Sequence, residues 1–225
     1  MKSVGEAMAV GRTFQESLQK ALRSMETGMT GLNPVAIDGW SAGGDREILL
    51  SALSQLRPDR LLVVAEAFRA GLGREEIHRA CYFDPWFLDQ ILSISEERLH
   101  LEAVAARSEG IRGLTRSDWR RAKRLGFSDA QVAYLFGVGN GEARAAREAV
   151  GVLPTFKTVD TCGAEFAAET PYHYSAWEDE DEVRPSDRPK VMILGSGPNR
   201  IGQGLEFDYC CVHASYALRD AGFET

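Results

Sequence analysis

The sequence predicts a mainly α-helical bundle followed by an incomplete α/β segment. Three observations support this prediction. Apolar residues recur every three or four positions from about residue 48 to residue 151, which is the spacing of amphipathic helices. β-branched and aromatic residues then predominate over residues 152–175. Finally, the apolar run Val191-Met192-Ile193-Leu194 leads into a glycine-rich turn and a helix, as at the start of a parallel α/β unit.

The first helix is predicted from Thr13 to about Glu26. The sequence Thr13-Phe14-Gln15-Glu16 is a capping box, in which the threonine hydroxyl and the glutamate carboxylate each accept from the other residue's backbone amide. The following stretch, residues 27–44, is rich in Gly, Thr and Ser and contains Pro34, so we expect a loop that joins two structural units.

Seven further helices follow from apolar spacing, capping residues and glycine stops. They are predicted to run from Asp45 to about Leu56, from Pro58 to Phe68, from Arg74 to Ala80, from Asp84 to about Ala106, from about Arg116 to Leu125, from Ser128 to Gly137, and from Asn140 to Gly151. The longest of these, which begins at Asp84-Pro85, is long enough to organise the bundle.

The chain after the bundle is predicted to be extended or irregular, with one turn of helix at Ala164 to Ala167. The acidic run 178–182 and the proline-rich stretch 184–189 indicate a solvated linker, because like charges repel and prolines break regular structure. We therefore expect a domain boundary near Asp187.

Charge is distributed unevenly along the 225 residues. The net charge is −7, but residues 112–148 carry a local charge of +4. Such a stretch is typical either of a nucleic-acid-binding surface or of basic helix faces that pair with acidic neighbours. No window approaches 18 uninterrupted apolar residues, so no membrane segment is predicted. Cysteine spacing suggests neither a zinc site nor a disulfide framework, which favours a reducing cytoplasm.

The helices that begin at Ser128 and Asn140 suggest an alternative function. Their short glycine turn resembles a helix-turn-helix, and basic residues precede it, so a nucleic-acid-binding helical protein is one hypothesis. Against it, the would-be reading helix is rich in alanine and offers only Arg144 and Arg147 for base or phosphate contacts. Two helices packed within a bundle explain the same pattern.

Neither the histidines nor the cysteines suggest a catalytic or metal site. His78, His100, His173 and His213 are scattered along the chain. Cys162 has no nearby histidine that could activate it, so we expect a buried structural thiol.

The glycine-rich turn carries the candidate site. Four polar side chains are grouped there, and open α/β sheets bind ligands at this end of a strand: Asn199, Arg200, Gln203 and Glu206. The glycines expected to present backbone to a phosphate are Gly195, Gly197, Gly202 and Gly204. The dinucleotide fingerprint fails at its third glycine position, where Arg200 stands. An Arg200–Glu206 ion pair that stabilises the turn is the alternative interpretation.

The parallel strand before this turn has little chain left with which to pair. Since only 16 residues follow Tyr209, we expect the strand to find no partner within this chain, which would then be a piece of a longer protein.

Three blocks of sequence resemble the large subunit of carbamoyl-phosphate synthetase. Residues 1–13 together with residues 16–23 are similar to the end of that family's first ATP-grasp unit. The segments Phe68-Arg69-Ala70-Gly71-Leu72, Trp86-Phe87-Leu88 and 159–167 resemble its helical oligomerisation domain. Residues 195–214 look like the start of its second synthetic half, with Ser196 where glycine is frequent.

The resemblance implies a division of the chain and a function for the parent. Residues 1–30 would be the tail of the first ATP-grasp unit, 31–187 a helical oligomerisation domain, and 188–225 the start of a pre-ATP-grasp, Rossmann-like unit. The parent would be an ATP-dependent ligase of arginine and pyrimidine biosynthesis, forming carbamoyl phosphate from bicarbonate, ammonia and two ATP.

The same resemblance implies partners, cofactors and site residues. The parent would use ATP, Mg²⁺ or Mn²⁺, and K⁺, and a glutaminase small subunit would supply ammonia. Asn199, Arg200, Gln203 and Glu206 would face the second active site or the mouth of an internal tunnel, with Glu206 lining it. This chain would be catalytically silent and would self-associate through its helices. It would contain no catalytic residue, metal ligand or cofactor, and it would bind neither nucleic acid nor membrane.

Overall fold

The computed structural model describes residues 5–107, 109–168, 170, 172–195 and 208–225. Within them the chain forms nine α-helices, one short 3₁₀ helix and one two-stranded sheet. The helices are α1 Phe14–Ser24, α2 Arg46–Ser54, α3 Arg60–Arg69, α4 Arg74–Cys81, α5 Pro85–Ala105, α6 Arg116–Arg124, α7 Asp129–Phe136, α8 Asn140–Ala149 and α9 Tyr209–Asp220. The 3₁₀ helix is Gly110–Gly113, and the strands are β1 Thr155–Thr158 and β2 His173–Ala176. The mainly α fold class is therefore confirmed.

Helix α5 lies at the centre of the bundle. It packs against α1, α3, α4 and α7, and Leu88, Ile91, Ile94 and Leu101 along its length are each at most 2% exposed. Burying apolar side chains of this size stabilises the fold by roughly 1.5–3 kcal/mol each relative to exposure. The bundle therefore has one continuous core organised by its longest helix, as predicted.

Local capping signals position most of the helix starts. The side chains of Asp45, Asp84, Thr115 and Ser128 each accept a hydrogen bond from a backbone amide in the first turn of the helix that follows. These bonds satisfy amides that have no partner within the helix. The predicted starts at these positions are confirmed.

The predicted capping box at Thr13 is only half present. The Thr13 hydroxyl accepts from the Glu16 amide at 3.2 Å, as expected. The Glu16 carboxylate, however, accepts from the amide of Arg12 at 2.8 Å and not from that of Thr13. The prediction of reciprocal bonds was wrong because the incoming chain brings the amide of Arg12, one residue earlier, within reach of the carboxylate.

The predicted turn of helix at 164–167 is also absent. The chain bends instead around Asp160, whose carboxylate accepts from the amides of Cys162 at 2.8 Å and Ala164 at 2.7 Å. Ala164 has a φ of +61°, which is left-handed backbone and cannot continue a right-handed helix. Beyond this bend β2 returns antiparallel to β1, with Thr155 opposite Ala176.

Candidate functional site

The predicted site residues lie almost entirely in the part of the chain that the structure does not describe. Asn199, Arg200, Gln203 and Glu206 fall outside the described residues, as do Gly197, Gly202 and Gly204 and the alternative Arg200–Glu206 ion pair. Their assignment to an active site or tunnel mouth stays a prediction.

Gly195 is the one described member of the predicted turn. It lies beside the first turn of α9, where a Cβ atom added to it would come within 3.0 Å of the Cys211 sulfur and 3.5 Å of an Asp208 carboxylate oxygen. The end of the segment 190–195 therefore approaches the amino-terminal end of a helix. Open α/β sheets bind ligands at such a junction, where free amides and the helix dipole favour an anion.

The segment before Gly195 pairs with the last residues of the chain. The Val191 amide donates to the Glu224 carbonyl at 2.9 Å, and the Glu224 amide donates to the Pro189 carbonyl at 2.9 Å, which makes a parallel bridge between Lys190 and Glu224. The expectation that this strand would find no partner within the chain was wrong. The 30 residues after Gly195, which include the 12 residues of α9, are enough to return the backbone alongside the strand.

This C-terminal unit leaves its apolar side chains exposed within the described structure. Met192 is 84% and Leu194 89% exposed, and α9 has no buried residue. Parallel strands normally have both faces covered. In the described residues, the apolar side chains of this parallel pair are instead left exposed.

A second constellation joins the bundle to the outgoing chain at Trp177. The Lys123 ammonium lies 4.5 Å from the centre of the Trp177 ring and the Arg147 guanidinium 5.0 Å from it. Both cations also bind Asp129, Lys123 at 2.7 Å and Arg147 at 3.0 Å. Cations over an aromatic face are attracted by its electron density, more strongly when water is excluded. We call Lys123, Asp129, Arg147 and Trp177 the tryptophan clamp.

Burial determines the electrostatics of the tryptophan clamp. Lys123 is 4% exposed, and this burial lowers its pKa to about 8, against the opposing effect of the Asp129 charge. Burial alone would raise the pKa of Asp129, but hydrogen bonds from Arg147 and the charge of Lys123 hold that pKa below its usual value. Asp129 is therefore ionised, and its negative charge partly balances the positive charges of Lys123 and Arg147.

The acidic run 178–182 extends this contact. Arg124 lies 3.2 Å from the carboxylate of Glu178, and Arg120 2.6 Å from that of Asp179, while Lys157 pairs with Glu182 at 3.2 Å. Residues 179–182 are exposed, as expected of a solvated segment, but carboxylates of the run also pair with helix α6 and strand β1, which was not predicted. The reading of the basic stretch as helix faces that pair with acidic neighbours is confirmed.

A third polar cluster lies between α5 and α6. The Arg121 guanidinium donates to Glu97 at 2.5 Å and to Asp118 at 3.3 Å, and Asp118 also contacts His100 at 3.2 Å. Glu97 is 4% exposed, and burial raises its pKa, with the Arg121 hydrogen bond opposing the change. This cluster fastens α6 to the central helix.

The histidines and cysteines form no metal site within the described ranges. No group of three or more His, Cys, Asp or Glu side chains there is placed to hold a metal ion. All four cysteines are free. Cys162 is partly exposed, so the expectation of a buried thiol was wrong; the bend around Asp160 places it near the surface. None of the helices in the described ranges is long and apolar enough to cross a membrane.

Sequence reasoning missed the tryptophan clamp as a unit. Its members come from α6, α7, α8 and the chain after β2, and no local pattern links them. The sequence offered one signal. Trp177 directly precedes the acidic run 178–182, and residues 112–148 carry a net charge of the opposite sign.

Comparison with known proteins agrees with this architecture. The family model described as the oligomerisation domain of the carbamoyl-phosphate synthetase large chain matches residues 6–151. The model described as the carbamoyl phosphate synthase preATP-grasp domain matches residues 187–225.

Curated relatives match along the whole chain. Proteins named carbamoyl phosphate synthase large chain are 54% identical in Neisseria meningitidis serogroup A, 54% in Xanthomonas campestris and 49% in Synechocystis. Each match covers 100% of this chain but 20% of the relative, so the chain spans about one fifth of the length of these relatives. No match supports a nucleic-acid-binding protein. The chain belongs to the carbamoyl-phosphate synthetase large-chain family.

Proposed function

We propose that this chain is an internal segment of a synthetase large subunit that makes carbamoyl phosphate from bicarbonate, ammonia and two ATP. The observation that carries the proposal is the match over the full chain to proteins named carbamoyl phosphate synthase large chain. The activity would belong to the parent, with ATP, Mg²⁺ or Mn²⁺, and K⁺ as its cofactors, and with a glutaminase subunit supplying ammonia. The free cysteines are compatible with a cytoplasmic protein.

Within that parent, the chain would connect the two synthetic halves and contribute to self-association through its helices. Two features support the connecting role. The tryptophan clamp fastens the outgoing chain to the bundle, and the acidic run continues along α6. A short, fixed connection of this kind would restrict how the following unit is oriented. The segment itself would perform no nucleotide chemistry.

The second part of the proposal concerns the turn after Gly195. Asn199, Arg200, Gln203 and Glu206 would face the second active site or the tunnel mouth. Arginine offers a planar fork for phosphate or carboxylate, and Glu206 would line the path of the intermediate. The position of Gly195 beside the first turn of α9 supports this assignment, because it puts the start of the turn at a strand-to-helix junction.

The test uses the complete large subunit that contains this segment, together with its glutaminase partner. Carbamoyl phosphate formation and bicarbonate-dependent ATP hydrolysis are measured for the wild type and for Glu206→Gln. We expect Glu206→Gln to lower carbamoyl phosphate formation while the bicarbonate-dependent hydrolysis persists. The control is Asp220→Asn at the exposed end of α9, which should change neither rate. A wild-type protein that forms no carbamoyl phosphate would refute the proposed activity, and an unchanged Glu206→Gln would refute the site.

A further inference from the structure

The chain enters the bundle through residues 8–12, the incoming segment, and leaves it through strand β2, the outgoing strand. Both segments contact one side chain, that of Lys20 on α1. Its ammonium group donates to the carbonyl oxygen of Val10 at 3.0 Å and to that of Ser175 at 2.5 Å. Val10 lies before the first helix and Ser175 lies on β2, after the last helix of the bundle. One lysine thus bridges two backbone segments that are 165 residues apart in sequence.

The third contact of Lys20 holds its position. The ammonium forms an ion pair with Glu16 at 2.9 Å, one helical turn earlier. Glu16 is 2% exposed, and its second oxygen accepts from the amide of Arg12. An ammonium group has three N–H donors and no acceptor. Two of the Lys20 donors are therefore used by the incoming segment and the outgoing strand, and its charge is balanced by Glu16 on α1.

A neighbouring contact joins the same two segments independently. The guanidinium of Arg12 donates to the hydroxyl of Tyr174 at 3.3 Å, and the Lys20 ammonium lies 5.9 Å from the centre of the Tyr174 ring. The side chain of Lys20 is 17% exposed, whereas its two carbonyl partners belong to the exposed residues Val10 and Ser175. Arg12, which precedes the first helix, and Lys20, which lies on it, thus both contact strand β2, which follows the last helix of the bundle.

We infer that Lys20 is a clasp, a positioning residue that fixes where the chain leaves the bundle relative to where it enters. Because a single ammonium binds both backbones, neither segment can move away without losing a charge-assisted hydrogen bond. If the chain connects two synthetic halves, as proposed above, the clasp would limit the rotation of one half relative to the other. It acts through geometry and takes no part in the chemistry.

The first test uses the 225-residue chain and amide hydrogen–deuterium exchange. Lys20→Met keeps the apolar stem of the side chain and removes the ammonium. We expect exchange to rise together over residues 8–12 and 172–176, by about tenfold, the value of one hydrogen bond to a charged group, while α5 is unchanged. The control is Ser24→Ala, which removes a hydroxyl that donates to the Ala21 carbonyl in the same helix. A rise in one segment alone, or in neither, would overturn the clasp.

A second, milder variant is needed if Lys20→Met destabilises the whole bundle, since exchange would then rise everywhere. Tyr174→Phe keeps the ring and removes only the hydroxyl that Arg12 contacts. Its effect should be smaller, should again appear in both segments, and should leave α5 unchanged. A response confined to β2 would contradict a coupling between the incoming and outgoing chain.

The coupling is tested in the complete large subunit with its glutaminase partner. The ratio of ATP hydrolysed to carbamoyl phosphate formed is compared between wild type and Lys20→Met. We expect the ratio to rise at least about twofold, since halves held less firmly lose more intermediate before the second phosphorylation. A wild type without synthesis would refute the proposed function, whereas an active wild type with an unchanged ratio in Lys20→Met would refute only the clasp.

Discussion

The Lys123 ammonium lies 4.5 Å from the centre of the Trp177 ring, 54 positions later in the sequence. This contact joins the sixth helix of the bundle to the first residue after strand β2. The backbone carbonyl of Trp177 also accepts a hydrogen bond from Arg124 at 3.1 Å. Side chain and backbone of one residue are therefore held by the same helix, and this fixes where the acidic run begins.

The buried Lys123 predicts a pH dependence of stability. Its pKa of about 8 in the folded chain lies below the ordinary value of 10.5. Between these two values the unfolded chain binds the proton and the folded chain does not, so stability must rise with pH across that interval. We expect the free energy of unfolding of the wild type, relative to that of Lys123→Met, to be flat below pH 8. Above it, the difference should grow by on the order of 2 kcal/mol.

Denaturant unfolding of both proteins between pH 6 and pH 10.5 measures this difference, since the other titrating groups largely cancel in the comparison. A difference that stays constant, or that falls above pH 8, would show that Lys123 is not held in a desolvated position.

Glu97 is buried whereas its partner Arg121 is partly exposed. Removing one partner should therefore lower the free energy of unfolding by a different amount from removing the other. Arg121→Met leaves the carboxylate of Glu97 buried without its cation, and we expect a loss of about 1–3 kcal/mol of stability. Glu97→Gln keeps an oxygen that can accept from Arg121 and removes the buried charge, so it should cost about 1 kcal/mol or less. Thermal or denaturant unfolding compares the two. The control is Arg144→Met, which breaks an exposed pair with Glu148 and should leave stability unchanged. Equal costs for the two partners would contradict the burial of Glu97.

Adding a single methyl group at Gly126 should lower the free energy of unfolding strongly. Gly126 has a φ of +85°, and an added Cβ would lie 2.9 Å from backbone atoms of Gln15 and Glu16 on α1. Strain and overlap together should make Gly126→Ala destabilising by about 2–4 kcal/mol. Gly137 offers a matched control, because its φ is +64° and no atom lies within 4 Å of the added Cβ. Gly137→Ala should therefore cost only about 1 kcal/mol. The midpoint of denaturant unfolding measures both, and similar losses would argue against close packing of this turn on α1.

The pairing of the basic residues predicts that nucleic acid does not bind. Arg120, Arg124, Lys123 and Arg147 all contact carboxylates, so binding phosphates would require breaking these pairs. We expect a flat fluorescence-anisotropy titration with labelled duplex DNA at about 50 mM salt, where phosphate binding is strong. Binding that weakens steeply with added salt would restore the helix-turn-helix hypothesis.

Local signals in the sequence were sufficient for most of the fold. The predicted caps at Asp45, Asp84 and Ser128, together with the apolar spacing, gave the helices to within a few residues, because each signal and its consequence lie within one or two helical turns. Resemblance in motifs identified the family, which the comparisons confirm.

Contacts between distant segments could not be predicted in the same way. The tryptophan clamp and the three contacts of Lys20 depend on how helices far apart in sequence pack together. The same holds for the bridge between Lys190 and Glu224, which was missed because the few residues after the strand proved enough to return the chain to it. The turn residues from Asn199 to Glu206 were chosen from sequence alone, and they remain a prediction.

If this segment positions the synthetic halves and performs no phosphoryl transfer itself, the purified 225-residue chain should neither bind nor hydrolyse ATP. We predict no saturable binding of ATP with Mg²⁺ by calorimetry and no bicarbonate-dependent ATP hydrolysis above a protein-free control, for a chain whose helical circular dichroism shows that it is folded. Saturable ATP binding together with bicarbonate-dependent turnover would show that this segment carries synthetic chemistry of its own.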